Sequence, residues 1–148
     1  IPIFAVPLAK FAVNFAQEKG NFVGREALEK QFTAYQQIKD QDYTNLSVLP
    51  RRIRPIVLTG RGGMRGGMPV YQGDVQVGYV TSGTMVPYFT SGEEHAMRAI
   101  GFAYLDSRVR TGDQVEVDIR GHRIAAAVPA RHLSNTNPPY ARPVLYEP

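Results

Sequence analysis

An arginine fixed in a glycine-rich loop is the arrangement in this chain with the plainest chemical use. Within the stretch from Arg51 to Thr84, glycines at 60, 62, 63, 66 and 67 surround Arg61 and Arg65, and Arg51, Arg52 and Arg54 lie just upstream. No acid occurs between Asp42 and Asp74. Glycine lets backbone approach a ligand or another chain closely, and a guanidinium held in such a loop is a ready donor to a carboxylate or phosphate. Arg65, flanked by Met64 and Gly66, is the side chain expected to be half-buried, with its fork aimed at one acceptor. Taken alone, the loop reads first as a flexible connection between barrel strands. It lacks the Gly-Lys-Ser/Thr of a phosphate loop, and Pro69 with a strand pattern follows where a dinucleotide site needs a helix.

Other chemistry-bearing residues are sparse. His95, His122 and His132 match no metal-ligand spacing and read as surface residues. Ser82 belongs to no nucleophile elbow and reads as part of a Thr-Ser-Gly turn. Glu93 and Glu94 are adjacent in a polar stretch and read as solvated. The chain has no cysteine, which excludes disulfides and thiolate metal sites. It has no apolar run long enough to span a bilayer. The formal net charge of +4, concentrated in the block 51–65, is compatible with an anionic cofactor, an acidic protein or RNA. RNA is the weakest of these, because the strands lack an exposed aromatic stacking platform.

The elements that must position these groups follow from periodicity. The length, 148 residues, fits one domain with an appendage. Pro2 and Pro7 break any long helix in the first fifteen residues, and Phe11, Val13 and Phe15 alternate as a short strand would. The chain opens at Ile1 in apolar sequence, which predicts a piece of a longer protein. Lys19-Gly20-Asn21 reads as a turn. Arg25 to Lys39 is the clearest helix, with Leu28, Phe32, Tyr35 and Ile38 on one stripe and Gly24 as N-cap. Arg25 opposes the helix dipole, so its side chain is expected to contact another segment.

From Arg54 onward the period becomes two. Strands are expected at Pro55–Thr59, Pro69–Tyr71, Asp74–Thr81, Arg98–Leu105, Gln114–Arg120 and His122–Val128. Val115, Val117 and Ile119 should face the core while Glu116, Asp118 and Arg120 face water. Thr111-Gly112 marks a turn, and Gly121-His122 reads as a II′ hairpin. Residues 91–97 could hold a helical turn, and the proline-rich tail beyond Pro129 should be extended. The fold class is therefore mainly β (α+β), a six-stranded antiparallel Greek-key-like barrel preceded by one amphipathic helix. Residues 1–50 form the leading region and 51–148 the barrel with its tail.

Several motifs together resemble the glycine cleavage system T-protein, the aminomethyltransferase family. Asn21-Phe22-Val23-Gly24-Arg25-Glu26-Ala27-Leu28 is similar to its "DFIGREAL" segment. Arg51-Arg52-Ile53, Gly60, Met64-Arg65 and Pro69-Val70 resemble the strand–loop–strand that opens its C-terminal domain. Gly78-Tyr79-Val80-Thr81-Ser82-Gly83 resembles its "GxVTSG" segment. The runs Ile100–Leu105, Val115–Val117 and Ile119–Gly121 are similar to its last strands. The likeness runs from about Phe11 to Val128. Residues 16–20 and 33–50 are longer than the family's usual segments, and the tail after Ala130 follows a different pattern.

The resemblance implies the C-terminal portion of a cytoplasmic, three-domain enzyme. Such an enzyme passes the methylene of an aminomethyl group from the lipoyl arm of H-protein to tetrahydrofolate, releasing ammonia. Partners would be lipoylated H-protein and the upstream domains of the same protein, which carry the family's essential aspartate. The fragment alone would then be inactive. Arg65 matches an arginine facing the catalytic centre, and Tyr140 matches a tail tyrosine near the folate. The same barrel also occurs in folate-dependent demethylases, in sarcosine and dimethylglycine oxidases, and in a folate-binding tRNA-modification factor.

Overall fold

The computed structural model describes residues 1–89 and 95–129, with the side chains of Phe89 and His95 set aside. The described chain forms two compact units, one of Ile1–Ile53 with Asp106–Arg108 and one of Arg54–Leu105 with the chain from Val109 onward.

The first unit is built on helix α2, Arg25–Lys39. Of the expected stripe Ile38 is buried and Leu28, Phe32 and Tyr35 are half-buried, and Ala34 beside it is buried as well. Phe32 and Tyr35 carry an aromatic cluster, with the Phe4 ring 5.3 Å from Phe32 and 6.2 Å from Tyr35. Phe15 adds a further contact, 5.6 Å from Phe32. Rings at these separations attract beyond their area burial, so the cluster ties the leading segment to the helix. Arg25 does reach away from its own helix start. Its guanidinium donates to the carbonyls of Gly20 and Phe15, at 2.6 and 2.7 Å, and to Glu29 at 2.8 Å.

The strand expected at Phe11–Phe15 is absent. Ala9–Ala12 form a single helical turn, α1, and the Val13 amide donates back to the Ala9 carbonyl at 3.0 Å. A period-two pattern does not make a strand where local turns already satisfy the amides.

Helix α2 ends in a Schellman motif. The amide of Asp42 donates to the Gln37 carbonyl and that of Gln41 to the Ile38 carbonyl. This places Gln41 in the left-handed region at φ 66°, where glycine is the usual occupant. Just beyond, the Thr44 hydroxyl and amide both donate to Asp42 and hold its carboxyl below the ordinary aspartate value. Because that value is depressed, the contacts help at neutral pH and fade as pH falls through it. Ser107, buried among apolar residues, donates its hydroxyl to the Leu49 carbonyl at 2.7 Å, and its own carbonyl accepts from Arg52 at 3.0 Å.

The second unit is a closed barrel of β1 Arg51–Leu58, β2 Pro69–Gln72, β3 Val75–Phe89, β4 His95–Asp106, β5 Gln114–Ile119 and β6 His122–Ala127. The order round the barrel is β1-β4-β3-β2-β5-β6, closed by β6 on β1. Strands β2, β3 and β4 follow one another by hairpins while β1 lies beside β4, which is the Greek-key connection. Closure removes every sheet edge. Val115 and Val117 point inward and join Ile56, Leu58, Val70, Val80 and Leu105 in the core. Glu116 and Asp118 stay partly exposed, as the alternation requires.

Strand β1 begins at Arg51, four residues before the expected Pro55, and three further details differ from the sequence reading. First, β3 does not end in a turn at Ser82-Gly83. It passes a bulge between Val80 and Ser82 and stays paired with β4 as far as Phe89↔His95. Second, the part of residues 91–97 that is described, His95–Met97, is strand. Third, the β5–β6 turn is centred on Arg120-Gly121, both at positive φ, 57° and 84°, as in a I′ rather than a II′ turn. The pairing Ile119↔His122 fixes that frame.

Replacing Gln41 by Gly should relieve the left-handed strain and raise stability by roughly 1 kcal/mol. A urea melt of the two proteins reads it, and unchanged or lower stability would contradict the capping assignment.

Candidate functional site

The glycine loop between β1 and β2 is held at both ends and in the middle. At its start the Thr59 and Gly60 amides donate to the Ala125 carbonyl at 2.9 and 3.1 Å. At its centre Met64 is buried in the barrel core, 3 % exposed. At its end the Gly67 amide donates to the Val80 carbonyl and the Val80 amide to the Met68 carbonyl, each at 2.8 Å. Residues 65–68 form a tight turn, with the Met68 amide on the Arg65 carbonyl at 3.4 Å and Gly67 at φ 90°. Positive φ at the third position is the type II turn, which selects glycine there.

Bare glycines make the fit possible. A Cβ on Gly66 would stand 2.9 Å from the Thr81 carbonyl oxygen, and one on Gly83 would collide with the Met64 carbonyl. A Cβ on Gly101, directly across from Gly83, would collide with the Ser82 carbonyl. The loop therefore lies on the bulged part of β3 with backbone against backbone. The bulge itself is braced by the Thr81 hydroxyl, which donates to the Phe102 carbonyl at 3.0 Å.

Arg65 stands at the first position of this turn, and its amide donates to the Met68 sulfur at 3.3 Å. Its side chain is exposed rather than half-buried, and among the described residues no hydrogen bond or ion pair holds the guanidinium. The expectation of a semi-buried fork is corrected for a physical reason: Met64, the neighbour, takes the inward position, and the turn directs Arg65 outward. What results is a permanent cation on a pinned backbone. Such a group suits a carboxylate or phosphate presented from outside the barrel.

The remaining arginines of the block have different uses. Arg52 donates to the Ser107 carbonyl and Arg54 to the Thr111 hydroxyl, at 3.0 and 2.6 Å, and both are half-buried. Arg51, Arg61 and Arg65 are exposed. Among the described residues no group of His, Asp or Glu is placed to hold a metal. His122 is exposed at the start of β6, Ser82 lies within β3, and only the backbone of His95 is described. His132, Glu93, Glu94 and Tyr140 lie outside the described residues.

Two concavities flank the upper part of β3 and β4. One, of about 320 Å³, is mostly apolar and lies between Pro55–Val57, Ser82–Thr84 and Ile100–Phe102, with Pro129 at its edge. The other, about 660 Å³, is walled by the start of the glycine loop and includes Arg61 and Arg98. Sequence reasoning missed both because it ended β3 too early. The available signal was Thr84-Met85-Val86, a run that continues the strand past Ser82-Gly83.

The family described as the glycine cleavage T-protein C-terminal barrel domain matches residues 51–133. The chain belongs to this family. Its barrel is accordingly a T-protein barrel, and the leading unit also aligns with relatives of that kind. An aminomethyltransferase from Anoxybacillus flavithermus is 31% identical over 140 residues, covering 88% of this chain and 33% of the relative. Another from Pseudothermotoga lettingae is 36% identical over 80 residues, covering 54% of this chain and 20% of the relative. The glycine cleavage system aminomethyltransferase T of Bartonella henselae superimposes with a TM-score of 0.57 at 20% identity, covering 88% of this chain and 31% of that one. That likeness speaks for the fold. The chain spans between a fifth and a third of the length of these curated relatives.

Gly83→Ala should force the T-protein loop off β3, because the new methyl group meets backbone that cannot yield. A loss of about 1–3 kcal/mol is expected, the usual range for overpacking. Hydrogen exchange should quicken at the Gly67 and Val80 amides, and unchanged protection there would refute the clamp.

Proposed function

We propose that this chain is the C-terminal portion of a tetrahydrofolate-dependent aminomethyltransferase of the glycine cleavage system. The whole protein would take the aminomethyl group from the lipoyl arm of H-protein, pass its methylene to tetrahydrofolate and release ammonia. Family membership and the names of the relatives support the reaction class. The observation that carries the reading for this chain is Arg65, a cation on a clamped turn with its guanidinium outward and, among the described residues, uncompensated.

Toward the folate site the Arg65 fork is the donor proposed from this chain, and it matches the planar geometry of a carboxylate. Its role is to hold a carboxylate in place, whether that of the upstream catalytic acid or of the folate itself. Tyr140 belongs to the same proposal as a folate contact from the tail. Upstream domains supply the acid and most of the pterin site, so the 148 residues alone are expected to be inactive. No helix among the described residues is long and apolar enough to cross a membrane, and a cytoplasmic setting is part of the proposal.

In the full-length protein, Arg65→Ala should lower turnover of aminomethylated H-protein with tetrahydrofolate by about 10²-fold, the scale of losing one preorganised charged donor. Arg65→Lys, a point charge without the fork, should restore only part. Wild-type turnover in both variants would take Arg65 out of the site.

A further inference from the structure

Strand β4 carries its bulk on the outside of the barrel. Ala99, Gly101, Ala103 and Leu105 alternate toward the core, and Ala99, Ala103 and Leu105 are buried there. Ile100, Phe102 and Tyr104 therefore fall on the outer face. A sheet face that meets water is ordinarily polar. Tyr104 has a neighbour on that face, the Tyr79 ring, edge-on at 5.9 Å. Phe102 is 50% exposed and meets no other ring among the described residues.

The register with β3 fixes what stands beside it. Phe102 pairs with Ser82 and Ile100 with Thr84, so these four side chains share one face of the ribbon. Strand β1 lies on the other side of β4 and adds Pro55. Together they line the smaller concavity, whose floor includes the strand backbone at Gly83 and Gly101. Its volume of about 320 Å³ is at the lower end of the roughly 300–1,000 Å³ range of small-molecule sites. Among the described residues no charged side chain lines it, so an ion entering would lose its hydration without gaining a counter-charge. The Ser82 and Thr84 hydroxyls do line it, and among the described residues neither takes part in a hydrogen bond. Each can donate or accept. A recess of this size and chemistry suits one or two rings with a polar edge against the hydroxyls.

We propose that this recess binds a small neutral aromatic compound bearing one hydrogen-bonding group, of the phenol or indole class. Phe102, Ile100 and Pro55 take the ring, and Ser82 and Thr84 take the polar group. The inference stands on the lining of the recess and does not rest on the aminomethyltransferase reading.

Amide chemical-shift mapping by NMR on the isotope-labelled 148-residue chain tests it with three probes: 2-naphthol, indole and 2-naphthoate. At least one of the two neutral probes should bind saturably at millimolar concentration, with the shifts concentrated at residues 82–84 and 100–102. Naphthoate, which keeps the rings but carries a charge, should bind at least about tenfold more weakly than naphthol. Phe102→Ala should weaken the neutral probe about tenfold, and Ser82→Ala combined with Thr84→Val about fivefold. Met97→Ala, on the opposite face of the same ribbon, should change nothing. Circular dichroism confirms that each variant is folded. The proposal is overturned if neither neutral probe binds, if the shifts lie elsewhere, if naphthoate matches naphthol, or if Phe102→Ala and the double variant both bind as the wild type does. Shifts at the same amides that follow protein concentration without any probe would assign the recess to a second copy of the chain and overturn it equally.

Discussion

The contact on which this end of the barrel depends is backbone against backbone, between the glycine loop and the bulged centre of β3. Two reciprocal hydrogen bonds at Val80 hold the loop's end, and Met64 holds its middle by burial in the core. The approach needs Gly66 and Gly83 bare, because a Cβ on the first would meet the Thr81 carbonyl and one on the second the Met64 carbonyl. The glycines therefore do not loosen this region. They permit a closeness that immobilises it, which is the less familiar use of a residue usually associated with freedom.

Much of the architecture was legible in the residues. The period-two runs located all six strands, and the stripe Leu28, Phe32, Tyr35, Ile38 located α2 to its ends. The reading went wrong where a local pattern had two solutions. Phe11-Ala-Val-Asn-Phe15 alternates like a strand, yet the Val13 amide finds the Ala9 carbonyl first. Ser82-Gly83 looks like a turn, but Gly83 lies in mid-strand opposite Gly101, where the Met64 backbone of the glycine loop crosses it. Only tertiary packing distinguishes a glycine that bends a chain from one that admits a neighbour. Likewise Arg120 carries a positive φ that its type does not advertise, since the hairpin frame was set by Ile119↔His122.

The site was less legible than the fold. Five arginines close in sequence read as one basic block, and the structure divides them by task. Arg52 and Arg54 satisfy buried or half-buried oxygens, Arg61 rims a cavity, and Arg65 is held outward. Charge counting cannot make that division, because it depends on which carbonyls and hydroxyls the fold leaves within reach of each guanidinium. The family likeness pointed to Arg65 before its surroundings were known. Arg65 opens a type II turn whose third residue, Gly67, has a positive φ and whose flanks are anchored.

That anchoring bears on the entropy of any encounter at Arg65. A cation on a mobile loop must surrender both the wandering of the loop and its own rotamers when it meets an anion. Here the segment on either side is tied down by backbone hydrogen bonds and by the burial of Met64, so the main cost of capture falls on the torsions of one side chain, about 2 kcal/mol for arginine. The guanidinium behaves as a hand on a fixed wrist, sweeping a small volume of solvent from which an arriving carboxylate can be taken without any further ordering of the protein.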